Sequence, residues 1–116
     1  MTDKISTPYL KDILDSIDYI LLYTTTSKIT KVQFETDTKT QDAVIRRLEL
    51  IGEATKRLEK GFRSQYEQIP WQKMAGLRDV LIHEYDEIDL DQLWIVINED
   101  LPILRTQIVS LLSTRS

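Results

Sequence analysis

Within eight consecutive positions, Arg78-Asp79-Val80-Leu81-Ile82-His83-Glu84-Tyr85, the chain concentrates the side chains best suited to acid–base and charge chemistry. His83 is the only histidine, and imidazole is the side chain that most readily takes or gives a proton near neutral pH. Asp79 precedes it by four residues, the spacing at which two side chains meet on a helix and a carboxylate can fix the ring tautomer. A histidine near a helix end that interacts with the helix dipole is the ordinary alternative. Arg78 falls inside the apolar arc of Trp71, Met74, Leu77, Leu81, Ile82 and Tyr85 rather than opposite it. Either its stem packs on Trp71 while the head reaches water, or this face is an interface or cleft holding one fixed positive charge. On an ideal helix Arg78 and His83 lie about 140° apart. Arginine's reach, a distorted helix end or a second subunit would be needed to join them, whereas Arg78 and Tyr85 share a face.

Four helical segments are predicted to position these residues. The first opens with Thr7 as N-cap and Pro8 at the first helical position. Leu10, Ile13, Leu14, Ile17 and Leu21 form its buried stripe, and Thr24-Thr25-Thr26-Ser27 ends it. After a polar connector with a short turn around Thr30–Glu35, a second helix spans about Thr40–Leu58. Val44, Leu48, Ile51, Thr55 and Leu58 make its seam, and Gly61 suits its C-terminal cap. A third begins at Pro70 and carries the eight-residue segment until Asp86-Glu87-Ile88-Asp89 interrupts it. Asp89 caps the fourth, with Gln92 three residues on as in a capping box. Leu90, Leu93, Ile97, Leu101, Leu104, Ile108 and Leu111 line its inner face, and Pro102 should kink it because the Asn98 carbonyl loses its donor.

These patterns predict one all-α domain over residues 1–116, an up-and-down four-helix bundle with a possible fifth short helix. Composition agrees: hydrophobic residues are 41%, charged residues 29%, and three glycines and three prolines are too few for an all-β chain. The absence of cysteine excludes disulfides and thiolate metal sites. With no leader pattern and no long apolar run, a cytoplasmic protein away from membranes is expected. The net charge of −4 gives no global attraction to nucleic acid, so RNA contact requires a local basic patch. Arg46 and Arg47 lead such a tract, which Lys56, Arg57, Lys60 and Arg63 continue; a solvated bundle face is the plainer reading of the same residues. The acids Glu84, Asp86, Glu87, Asp89 and Asp91 read as capping and dipole compensation rather than a Mg²⁺ site. No nucleotide-binding glycine loop, zinc ligand set or nucleophile triad is present, and neither metal nor cofactor is expected.

The segment Arg78–Tyr85 resembles the R-x4-H-x-Y signature of HEPN domains of the HepT family, toxins paired with a minimal nucleotidyltransferase (MNT) antitoxin. The resemblance extends to Gln41–Ala54 as the family's second helix, to Ile69-Pro70-Trp71 before the motif, and to Asp100-Leu101-Pro102 in a kinked last helix. It covers about Tyr9 to Ile108. It implies a HEPN bundle that forms a homodimer, with two copies of the motif facing one cleft. It also implies a metal-independent endoribonuclease acting on tRNA or mRNA. His83 would be general base or acid, Arg78 would bind the phosphate and Tyr85 would line the cleft, while the helix spacing of Asp79 would let it orient His83. The MNT partner would silence the site by transferring AMP to Tyr85. Two alternatives are a non-catalytic HEPN partner that docks substrate or nucleotide for the transferase, in keeping with the net acidity, and a purely structural dimeric bundle.

Overall fold

A computed structural model describes residues 5–84 and 87–114, with the backbone alone at 80 and 82–84. The four predicted segments are present as α1 (Thr7–Tyr23), α3 (Thr38–Arg57), the pair α5 (Trp71–Ala75) and α6 (Leu77–Leu81), and the last helix. That last helix runs through α7 (Leu90–Ile95), a π-helical turn (Val96–Asp100) and α8 (Leu101–Ser113). Two short helices, α2 (Lys31–Glu35) and α4 (Lys60–Gln65), sit in the connectors. One antiparallel pair of strands, β1 (Ile82–Glu84) and β2 (Glu87–Ile88), joins α6 to the last helix. Among the described residues no helix is long and apolar enough to cross a membrane.

The apolar periodicities become the core. The α3 seam is buried throughout, at Val44, Leu48, Ile51, Thr55 and Leu58. It meets Leu10, Ile13 and Ile17 of α1, which packs along α3 and against α8. Leu93, Ile97, Leu101, Leu104, Ile108 and Leu111 close the core from the last helix. Phe34 of α2 is fully buried and its ring lies 5.4 Å from that of Trp94. A second aromatic group, Phe62, Tyr66 and Trp71, fills the end of the bundle near α4 and α5. There the Trp71 indole Nε1–H donates to the Tyr66 carbonyl at 3.0 Å.

Several boundaries differ from expectation. Ser6 holds the cap position of α1, and Thr7 is its first helical residue. The hydroxyl run does end α1: the Thr24 hydroxyl donates back to the Ile20 carbonyl, and Lys28 takes a left-handed φ of 58° to reverse the chain. α3 starts at Thr38, two residues earlier than expected, with Asp37 capping it by accepting from the Thr40 N–H. Gly61 is not a helix cap. Leu58 turns extended at the end of α3, and Gly61 lies inside α4, whose Phe62 side chain gives that polar-looking stretch a buried anchor. The reciprocal capping box belongs to Thr30 and Gln33; Asp89 makes the forward bond expected of it, accepting from the Gln92 N–H. The irregularity expected at Pro102 takes the form of the π turn directly before it, where a wider loop of backbone accommodates a residue that cannot donate.

The largest difference lies at the motif. Gly76 splits the expected third helix, and helical geometry ends at Leu81, short of His83. Glycine is a poor helix former, and the β-branched Val80 and Ile82 favour extended backbone. The strand that follows pairs Ile82 with Ile88 and Glu84 with Glu87, with a bulge between. The Asp89 N–H then donates to the Leu81 carbonyl, fastening the start of the last helix to the end of α6.

Candidate active site

Arg78 sits on the five-residue α6, between the break at Gly76 and the start of β1. Its position is set by how closely α5 approaches α3. Gly52, in the buried middle of α3, faces the α5 backbone: a Cβ there would lie 3.2 Å from the Ala75 carbonyl oxygen and 3.4 Å from that of Met74. A residue without a side chain lets the two elements sit this near without either giving way. The contact carries α6 over the α3 surface one turn before Gly52, where Glu49 lies.

The Arg78 side chain is 57% exposed, and its Nε lies 3.4 Å from Glu49 Oε1. The other oxygen of the same carboxylate, Oε2, faces Arg46 Nη1 at 3.7 Å. A cavity of about 280 Å³ opens beside Arg78, lined by Glu49, Gly52, Glu53, Lys56, Ala75 and Asp79. Of the charged groups around it, Glu49, Glu53 and Asp79 oppose Lys56 and Arg78, so one more acid than base lines the wall.

The placement of the predicted residues is therefore mixed. Arg78 is a solvent-facing arginine at a cavity mouth; the continuous apolar arc that would have enclosed it is broken at Gly76. Asp79 shares that cavity. Its expected helical i,i+4 relation to His83 does not hold, because the helix stops at Leu81 and His83 has a strand backbone. The distorted helix end that could relieve the 140° separation of Arg78 and His83 is thus present. The His83 side chain and the whole of Tyr85 lie outside the described residues. Arg46 and Arg47, adjacent in sequence, serve different surroundings. Arg46 joins the Glu49–Arg78 group, while the Arg47 guanidinium stacks 4.2 Å above the ring centroid of Tyr19. Arg47 lines a separate polar cavity with Asp12, Asp15, Glu53 and Arg57. Asp91, from the acidic run, pairs with Lys31 at 2.9 Å. This contact and the hydrogen bond that accompanies it raise the Lys31 pKa. Among the described residues no group of three or more histidines, cysteines or carboxylates is placed to hold a metal ion.

Two residues of this site escaped the sequence reading. Glu49 was visible only as an i,i+3 partner of Arg46, an unremarkable surface spacing. Gly52 carried a clearer signal, since an isolated glycine within a long helical pattern marks a close backbone approach.

The family described as Ribonuclease HepT-like matches residues 13–111. A protein of Methanocaldococcus jannaschii named "Gamma-glutamylcyclotransferase and putative RNase" is 44% identical over 104 residues, which cover 90% of this chain and 46% of that protein. The chain thus spans about half the length of that relative. The "Probable ribonuclease HepT" of Thermococcus cleftensis is 44% identical over 97 residues, 84% of this chain and 86% of its own. A third relative, a "Putative RNase" of Caldanaerobacter subterraneus subsp. tengcongensis, is 36% identical over 112 residues, covering 94% of this chain and 96% of its own. No solved structure gives a significant match. With a family match running through nearly every element of the bundle and full-length relatives well above 30% identity, the chain belongs to the HepT-like ribonuclease family.

Proposed function

We propose that this chain is the toxin of a HEPN/MNT pair, a metal-independent endoribonuclease that works as a homodimer in the cytoplasm. The observation that carries the reading is Arg78: an exposed guanidinium at a cavity, with one ion pair among the described residues, one short element before the backbone of the only histidine. In the proposed reaction a ribose 2′-oxygen attacks the adjacent phosphorus, His83 takes the 2′ proton, and the bond from phosphorus to the 5′-oxygen breaks. The leaving oxygen accepts a proton from a protonated His83, that of either subunit. The products are a 2′,3′-cyclic phosphate and a 5′-hydroxyl. Arg78 grips the phosphate and balances the charge gained in the transition state. Asp79, on the same cavity wall, adjusts the field around Arg78. Dimerisation across a two-fold axis supplies two such sets to one cleft. Arg46 extends the contact with the RNA backbone; Arg47, stacked on Tyr19, stands further from it. The substrate is tRNA or mRNA. An MNT nucleotidyltransferase would silence the site by placing AMP on Tyr85, where a bulky anion would repel the RNA phosphate.

Expression of the parent should arrest growth, and folded Arg78→Ala and His83→Ala variants should relieve it. Loss of the acid–base group should cost about 10²–10⁴-fold in cleavage. Cleaved RNA should carry 5′-hydroxyl ends, and EDTA should leave the rate unchanged. Undiminished toxicity in both variants refutes the mechanism. Co-expression with the neighbouring transferase should add AMP to the intact mass, and Tyr85→Phe should abolish the gain. The acidic excess around the cavity favours a second reading, a non-catalytic subunit that docks substrate or nucleotide for the transferase. Purified protein that binds the transferase but leaves RNA intact would select it.

A further inference from the structure

We propose that Glu49 is a positioning residue, whose single carboxylate orients Arg78 for phosphate and brings Arg46 beside it as a second phosphate-binding group. The proposal rests on the nuclease reading above and assigns the support of its arginine. Alone, α6 offers little to fix a long side chain: it has five residues, with a glycine break before it and a strand after it. Glu49 belongs instead to the 20-residue α3, and its side chain is only 31% exposed against 57% for Arg78. The carboxylate is therefore the anchored partner and the guanidinium the held one.

The contact atoms matter. The ion-pair contact falls on Nε at 3.4 Å, so phosphate would be taken on the edge formed by the two terminal nitrogens. Oε2 meanwhile faces Arg46 Nη1, from the same α3 and one turn earlier. Arg46 adds a third base to Lys56 and Arg78, which balances Glu49, Glu53 and Asp79 around the site, on a chain whose overall charge is −4. Two guanidiniums on one carboxylate thus offset the acids of the cavity wall where an acidic protein must hold an RNA backbone.

The test uses the full-length chain and its Glu49→Gln variant. The Arg78 Nε–Hε resonance, assigned by its loss in Arg78→Lys, should be protected from solvent exchange in the parent and lose that protection in Glu49→Gln. In steady-state cleavage, Glu49→Gln should lower kcat on the order of fivefold, the size of one exposed ion pair. KM for RNA should stay level or fall, because a negative charge near the backbone has gone. In an Arg78→Lys background the Glu49→Gln change should lower kcat by less than it does in the parent, the remainder coming from Arg46. A merely structural role would depress melting temperature and would add its loss in both backgrounds. An unchanged resonance, a full additional loss on Arg78→Lys, or a rise in kcat that marks Glu49 as an inhibitory latch would overturn the assignment. Failure of the nuclease reading shows itself separately, as a parent protein that leaves RNA intact; the resonance still decides whether Glu49 holds Arg78.

Discussion

Replacing Gly52 with alanine sets two physical effects against each other. In a helix interior the change gains about 1 kcal/mol of helix propensity. Against it stands the new Cβ, 3.2 Å from the Ala75 carbonyl oxygen and 3.4 Å from that of Met74. Both are backbone atoms, so no side chain can swing aside, and α5 itself must move by a few tenths of an ångström. Overpacking of this kind costs about 1–3 kcal/mol. The sum is a net loss between zero and about 2 kcal/mol, measurable as a lower midpoint in urea. Activity should suffer more than stability. Moving α5 shifts α6 and Arg78 with it, away from the phosphate position. With about 10²-fold lost per ångström of misplacement, a shift of about 0.3 Å should lower cleavage about fourfold. The paired assay is equilibrium unfolding and RNA cleavage on the same preparation. A Gly52→Ala protein that is stabilised by the full helix-propensity gain and cleaves like the parent would refute the close-approach argument.

Phe34→Ala should cost about 3–5 kcal/mol in chemical denaturation, since a fully buried ring in contact with Trp94 is removed. Thr55→Val should be neutral within about 1 kcal/mol by the same measurement: the hydroxyl donates only to the Ile51 carbonyl of its own helix, and the valine fills the same space. Asp37 tests the pH dependence. Hydrogen bonds from the Thr40 hydroxyl and backbone N–H hold its pKa below the ordinary carboxylate value. Its contribution is therefore complete above the unfolded-state pKa and fades as pH falls through the depressed folded value. Asp37→Asn should lower the unfolding midpoint at neutral pH and remove that part of the acid-side decline, and an identical pH profile would contradict the cap.

The bundle was legible because burial imposes a period. Val44, Leu48, Ile51, Thr55 and Leu58 announced the α3 face, and the last helix read equally well from Leu93 to Leu111. Boundaries slipped where one residue outweighed the pattern: the buried Phe62 made a helix of a polar-looking stretch, and Asp37 started α3 early. At the site, the motif identified Arg78, but the single helix expected to carry it is broken at Gly76. The apolar spacing from Trp71 to Tyr85 fits one helix, and only Gly76 and the β-branched Val80 and Ile82 spoke against continuity. The pairing of Arg78 with Glu49 depends on how two distant segments pack through Gly52, and no local spacing encodes that.

The strand pair has a thermodynamic consequence for any visitor to the motif. Ile82 already faces Ile88, and the Asp89 N–H already reaches the Leu81 carbonyl, so the ends of this short excursion are joined when the chain folds. The entropy of bringing them together is charged to folding rather than to association. A nucleic acid or an enzyme that grips the chain here therefore meets strands that are already paired, and more of its contact energy survives as affinity.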